Sequence, residues 1–355
     1  MMWGGWYGIP IPDPKMAVDV FMVLSGFLMA YTMSDQARIP RKGVWLNFYI
    51  RRIFRIAPAY YGSLIIAVLL SSQFLSGYVD LMTMNQQWPP KPGQLNPASV
   101  QYDFKNMLLH LTFLFSLHPT YSSSTALPDW SLGIEMQFYA VFPLIYLVGR
   151  RYSHAGICLI LFLLCFGFSW LMDRAVALSY LPPFRTPSLL IFKLDIFILG
   201  ILIFEAGRDS KNRIHLLIVA VIIETRLLRW SGNDGFVFLF ILLLIAVLWL
   251  APYRPRWLHN ILENRVVRFM SDTSYSVYLF HGFFISIVGS RIARWLWATD
   301  VPKPVAFAAI WIAVIGLVYP CAYLSYRFVE VPGIRLGKRI SEAVRPRIAV
   351  PSASA

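Results

Sequence analysis

Four groups of polar residues interrupt otherwise apolar stretches, each with a spacing that could do chemistry. RRIFRIAPAYY sets Arg52 and Arg55 three apart, on one face of a helix. A guanidinium is a planar fork that meets phosphate oxygens two at a time, so the pair suits a phosphate-bearing ligand. The plainer reading is a pair of snorkelling anchors at a membrane rim. DWSLGIEMQFY sets Ser131 and Glu135 four apart on one face, with Tyr139 one turn on. A carboxylate at that depth must pair with a cation, accept several hydrogen bonds or stay protonated. Its two readings are an ion pair that locks helices together and a group that binds substrate or handles a proton. SDTSYSVYLFH places Ser274, Tyr278 and His281 in one polar stripe. His281 is either a hydrogen-bonded packing residue or a general acid/base. The last group is VDVFMVLSGFLMAY. There Asp19 and Gly26 share a face that suits close packing against a neighbour, and Ser25 lies beside it. Asp195, in FKLDIFILG, is a further acid in an apolar run, with Lys193 or an Arg of another helix as its expected partner.

The elements that must carry these residues are membrane helices. The chain of 355 residues is 57% hydrophobic and 14% charged, and its apolar residues fall in blocks of helix-spanning length. The fold expected is therefore all-α and polytopic, with nine spans at 16–33, 55–75, 132–148, 155–172, 188–206, 214–228, 236–251, 273–290 and 305–327. The segment 106–117 is too short to cross and reads as re-entrant or interfacial. The connection 76–130, rich in proline, reads as a long loop. Residues 1–340 form one integral-membrane domain, and 341–355 a disordered cytoplasmic tail.

The net charge of +14 would suggest nucleic acid in a soluble protein. Here the basic residues sit in connections, as the positive-inside rule expects, so no nucleic-acid partner is assigned. One set of connections holds Arg41, Lys42, Arg51, Arg52, Arg55, Arg150, Arg151, Arg208 and Arg213, and the C-terminal tail joins it. The sparser opposite set includes Lys105, Arg174, Arg291 and Arg294. The richer side is expected to be cytoplasmic, in a plasma (inner) membrane. Nine spans with the C-terminus inside put the N-terminus outside, and one more upstream helix would bring it inside. Cys158, Cys165 and Cys321 lie in apolar runs with no metal-ligand spacing, and no metal is expected.

In order, VDVFMVLSGF, RRIFRIAPAYY, WSLGIEMQFY, SYSVYLFH and SYRFVEVPGIRL resemble the motifs of membrane acyltransferase family 3, over nearly the whole chain from Val18 to Leu336. The resemblance implies about ten transmembrane helices and transfer of an acyl group, often acetyl, from cytoplasmic acyl-CoA. The acceptor would be a sugar hydroxyl in an envelope polysaccharide, a lipid-linked glycan or a glycosylated small molecule. The family's Arg-x-x-Arg motif falls on Arg52 and Arg55, and its Ser-Gly-Phe motif on Ser25, Gly26 and Phe27. Its glutamate falls on Glu135, and its late Tyr-x-x-His on Tyr278 and His281. His281, Glu135 and Tyr278 are thus the expected catalytic residues, and Arg52, Arg55 and Ser25 the expected acyl-CoA-binding ones. One departure stands out. The family's first helix carries an Arg and a His that acts as base, and the residues before Val18 hold no histidine. The same missing helix follows from the charge parity. His281 is then the substitute base. Two other readings stay open: a glycan or lipid carrier, and a catalytically silent relative shortened at its N-terminus.

Overall fold

Helices form wherever the apolar blocks run, because a backbone in lipid must satisfy its own polar groups. The computed structural model describes residues 14–36, 44–85, 89, 95–180, 182, 184, 186–231, 233–250, 256–299 and 301–344. In chain order the helices are α1 (Pro14–Gln36), α2 (Val44–Leu69), α3 (Ser71–Met84), α4 (Phe104–Leu111), α5 (Trp130–Arg151), α6 (His154–Ala177) and α7 (Leu194–Arg208). They continue as α8 (Arg213–Ser231), α9 (Asn233–Leu250), α10 (Arg256–Leu262), α11 (Arg265–Phe284), α12 (Ser290–Ala298), α13 (Lys303–Ser325) and α14 (Val331–Ala343). Short π-helical turns, Ile285–Gly289 and Tyr326–Glu330, join α11 to α12 and α13 to α14. No strand occurs among the described residues. The described residues form an all-helical fold rich in long apolar helices, as suits a membrane protein.

Six helical runs among the described residues are long and apolar enough to cross a bilayer, where nine spans were expected. The expected spans 188–206, 214–228 and 236–251 correspond to α7, α8 and α9, which are not among the six. α7 has 15 residues, a rise of only about 22 Å. It is also enclosed by protein: every residue from Leu194 to Ala206 is buried, and α1, α6 and α8 pack around it. Other boundaries move outward. α2 begins at Val44 rather than 55, so the arginines lie within the helix instead of at its start.

The connection 76–130 is less of a loop than expected. α3 fills 71–84, and Asp103 caps α4 by accepting from the Asn106 N–H at 2.8 Å. The segment 106–117 is not one helix. It breaks at Phe113, whose φ of 58° is left-handed, into α4 and a 3-10 turn, Leu114–Leu117. α14 carries on to Ala343, and Ser341 accepts from Arg51 Nε at 3.3 Å. Residues 345–355 of the expected tail, like Arg41 and Lys42, lie outside the described residues.

The face of α1 that holds Asp19 and Gly26 is filled by α7. A Cβ at Gly26 would sit 2.0 Å from the Phe197 carbonyl oxygen, and one at Gly200 would sit 1.9 Å from that of Val23. Two glycines thus let the two backbones touch, in the way small residues do in membranes. Lys193 Nζ adds an ion pair to Asp19 at 2.8 Å. So the Lys193 ammonium, one expected partner of Asp195, is engaged by α1. The neighbour expected on this face is supplied by α7, far along the chain. Gly26→Val should therefore cost about 1–3 kcal/mol of stability through overpacking. The check is thermal melting in detergent; an unchanged midpoint would mean that this contact is slack.

Candidate functional site

α1, α2 and α5 bring four of the expected polar side chains into one cluster. Glu135 is buried on α5, and its Oε1 accepts from Ser25 Oγ of α1 at 3.1 Å and from the Tyr139 hydroxyl one turn along. Arg52 of α2 lies over the same tyrosine, with its guanidinium carbon 5.8 Å from the Tyr139 ring centre and 5.9 Å from that of Phe48. Its Nη2 donates to Thr32 Oγ1 at 3.3 Å. Ser25 and Thr32 are seven apart, two turns along one face of α1. Among the described residues Glu135 meets hydroxyls rather than a cation within ion-pair distance. Neither Arg52 nor Arg55 forms an ion pair there either. At hydrogen-bond distance Glu135 therefore has a hydroxyl cradle, with the Arg52 and Arg55 charges farther off. Arg55 is exposed one turn on from Arg52, while Arg51 turns the other way to Ser341.

The geometry of α2 comes from its partner, α14. Gly333 packs against Pro58, where an added Cβ would lie 2.7 Å from the proline ring. Gly337 does the same against Phe54, at 2.5 Å. The π turn before α14 carries Glu330, which is buried and accepts from Ser276 Oγ of α11. Ser276 Oγ also lies 2.9 Å from Ser325 Oγ, from which it accepts, and the Tyr275 hydroxyl donates to the Ile56 carbonyl at 2.9 Å. α11 is thereby pinned to α2 and to the α13–α14 junction.

Tyr278 and His281 sit at the next level of α11. The Tyr278 hydroxyl lies 2.7 Å from Ser131 Oγ, at the start of α5, and also donates to the Pro128 carbonyl. Ser131 and Glu135, predicted on one face of α5, therefore hold two different partners. His281 is half-buried, and its Nδ1 lies 2.7 Å from the Tyr278 carbonyl oxygen. A carbonyl only accepts, so Nδ1 carries the hydrogen. Nε2 of the neutral ring then keeps its lone pair and has no hydrogen-bond partner among the described residues. No hydrogen bond joins His281 to Glu135.

A third constellation carries no expectation from the sequence. His110 is fully buried on α4. Its Nδ1 lies 2.8 Å from the Tyr60 hydroxyl and 3.1 Å from Asp129 Oδ2, and its Nε2 lies 3.1 Å from Ser124 Oγ. Asp129 Oδ2 further accepts from Tyr60 at 3.2 Å and from Thr125 Oγ1 at 2.9 Å, while Ser124 donates to Asn106 Oδ1 at 2.8 Å. The His110 ring stacks on Phe115 with centres 4.1 Å apart. One signal could have found it. Asn106 and His110 are an i, i+4 polar pair in a short apolar helix, and Asp129 stands just before WSLGIE. The network fixes the chain entering α5, and so fixes Ser131 and Glu135.

Comparison with known families bears on what these clusters serve. A family model described as "Acyltransferase domain" matches residues 15–327. The chain belongs to that family. Among the relatives of this acyltransferase-domain chain is a Staphylococcus aureus (strain COL) protein named "Putative O-acetyltransferase", 26% identical over 89% of the chain and 52% of the relative. "Putative peptidoglycan O-acetyltransferase YrhL" of Bacillus subtilis (strain 168) is 26% identical over 89% of the chain and 50% of its own length. Peptidoglycan O-acetyltransferase OatA of Listeria monocytogenes is 24% identical over the same two shares. The chain spans about half the length of these relatives. No solved structure matches it.

Proposed function

We propose that this chain is a membrane-embedded O-acyltransferase. It would move an acyl group, acetyl by preference, from acyl-CoA to a sugar hydroxyl of an envelope polysaccharide such as peptidoglycan. The observation that carries the reading is the pair Arg52 and Arg55 near the buried Glu135 cradle, with no carboxylate within ion-pair distance of either among the described residues. Guanidinium forks not locked onto a carboxylate can turn to a phosphate-bearing ligand. In this reading the basic rim is cytoplasmic, the bundle lies in the inner membrane, and α7, α8 and α9 count as crossings to make nine.

Acyl-CoA supplies an activated thioester whose thiolate leaves readily. The work left to the protein is to place the reactants and remove one proton. Arg52 and Arg55 bind phosphate oxygens. Glu135, held by Ser25 and Tyr139, fixes the Tyr139 ring on which Arg52 rests. The Nε2 lone pair of His281 accepts the proton of the attacking sugar hydroxyl as its oxygen bonds to the acyl carbonyl carbon. Tyr278, bound to Ser131, holds the turn that sets the His281 tautomer.

The test is transfer of label from radiolabelled acetyl-CoA to peptidoglycan fragments by membranes carrying the chain. Arg52→Lys keeps the charge and loses the fork, so the KM for acetyl-CoA should rise about tenfold, the worth of one charge-assisted hydrogen bond. Transport of a glycan without thioester consumption would instead mark a carrier. Equal, background-level labelling by wild type and by an Arg52→Ala/Arg55→Ala variant would sink the enzyme reading.

A further inference from the structure

A cavity of about 240 Å³ lies between α3 and the α11–α12 run, with neither Glu135 nor His281 in its lining. Its polar lining is Ser72, Gln73 and Ser76 from α3, with Ser290, Arg291 and Arg294 from α12. The walls are held by a close approach. A Cβ on Gly77 would lie 1.8 Å from the Ser286 carbonyl oxygen and 2.8 Å from Ser290 Oγ. Ser286 is in the π turn, a local irregularity that often accompanies a site. The turn re-aims the helix, so that Ser290 and Arg291 face α3.

The charges in this cavity are unequal. Arg291 donates from Nη1 to the Ile287 carbonyl at 3.0 Å and meets no carboxylate among the described residues. Arg294 Nη2 lies 3.3 Å from Asp80 Oδ2, an oxygen that has no hydrogen-bond partner. Two guanidinium groups thus face one carboxylate, with three serine hydroxyls around them. That donor set fits a group with several acceptor oxygens and negative charge, which is a phosphate. The depth of the cavity follows from its neighbours. Trp295 and Trp297 on α12 are 66% and 52% exposed. Exposed tryptophans beside an apolar bundle mark the headgroup level of a bilayer.

We propose that this cavity binds the phosphate of a membrane-lipid headgroup, with Arg291, which meets no carboxylate among the described residues, as its first cation and Arg294 released from Asp80 on binding. The site depends on the membrane setting of the chain and not on acyl transfer. A soluble phosphate shares the chemistry but would not need the tryptophan level.

The full chain in detergent is examined by native mass spectrometry with phosphatidate and, separately, diacylglycerol, which lacks the phosphate. Wild type should retain phosphatidate in preference to diacylglycerol. Arg291→Ala/Arg294→Ala should weaken phosphatidate retention about tenfold. Asp80→Asn removes the competing carboxylate and should strengthen it about threefold. The opposite signs separate binding from misfolding, which would weaken both variants. Equal retention of the two lipids, or equal phosphatidate retention by wild type and the double variant, overturns the site. Full displacement of phosphatidate by millimolar inorganic phosphate overturns the lipid as its occupant.

Discussion

His281→Gln should lower acyl transfer by about 10²–10⁴, the range a general base contributes, with KM for acetyl-CoA little changed. The reasoning runs through the tautomer. Nδ1 lies 2.7 Å from the Tyr278 carbonyl oxygen and must donate to it, which leaves Nε2 with a lone pair and no partner among the described residues. Glutamine can still donate to that carbonyl but cannot accept and hold the proton of an attacking hydroxyl. Binding of acyl-CoA rests on Arg52 and Arg55 in this reading, so the loss should fall on kcat. Single-turnover transfer from radiolabelled acetyl-CoA separates the two. A fall of less than threefold would place the base elsewhere and reduce His281 to a packing residue. Tyr278→Phe is the companion variant. It removes the bonds to Ser131 and Pro128 while leaving the carbonyl that sets the tautomer, so its loss should be smaller.

Much of this site was legible because membranes make polar residues conspicuous. Glu135, Ser25, Arg52 and His281 stand out in apolar blocks, where each must have a reason. Their identities as candidates need no three-dimensional information. Who meets whom is another matter. An i, i+4 spacing places Ser131 and Glu135 on one face of α5, yet the first meets α11 and the second α1. The Gly26 face was readable as a close-packing face, but its partner α7 lies far along the chain, and no local pattern points to it. Counting crossings meets a related problem. Six helical runs are long and apolar enough to cross, while α7 has the composition of a crossing helix in only 15 residues enclosed by protein, and composition does not report enclosure. His110 was missed because a histidine in a short, interrupted segment looks like a surface group. Only the break at Phe113 folds that segment back so that the ring is fully buried beside Asp129.

Asp129→Ala should be the most destabilising single change outside the helix contacts, at about 3–5 kcal/mol, since each buried polar group left without its acceptor costs about 1–3 kcal/mol. Asp129 is 1% exposed, and its Oδ2 is shared by Tyr60, Thr125 and His110. Truncation leaves a tyrosine hydroxyl, a threonine hydroxyl and an imidazole in a space too closed to recruit much water. Asp129→Asn is the finer probe, because it keeps the volume and one acceptor oxygen while removing the charge. It should cost less than Ala, since charged hydrogen bonds are worth about 1.5–3 kcal/mol where neutral ones are worth about 1. Thermal melting in detergent gives the stability order wild type, Asn, Ala. Transfer measured below the melting of the Ala variant should fall as well, because Pro128 and Ser131, which flank Asp129, hold Tyr278. His110→Ala combined with Asp129→Ala completes the cycle. If the two residues act as a pair, the double variant should lose less than the sum of the singles. Additive losses would mean that each is held by its other neighbours, and that the pair does not set the entry to α5.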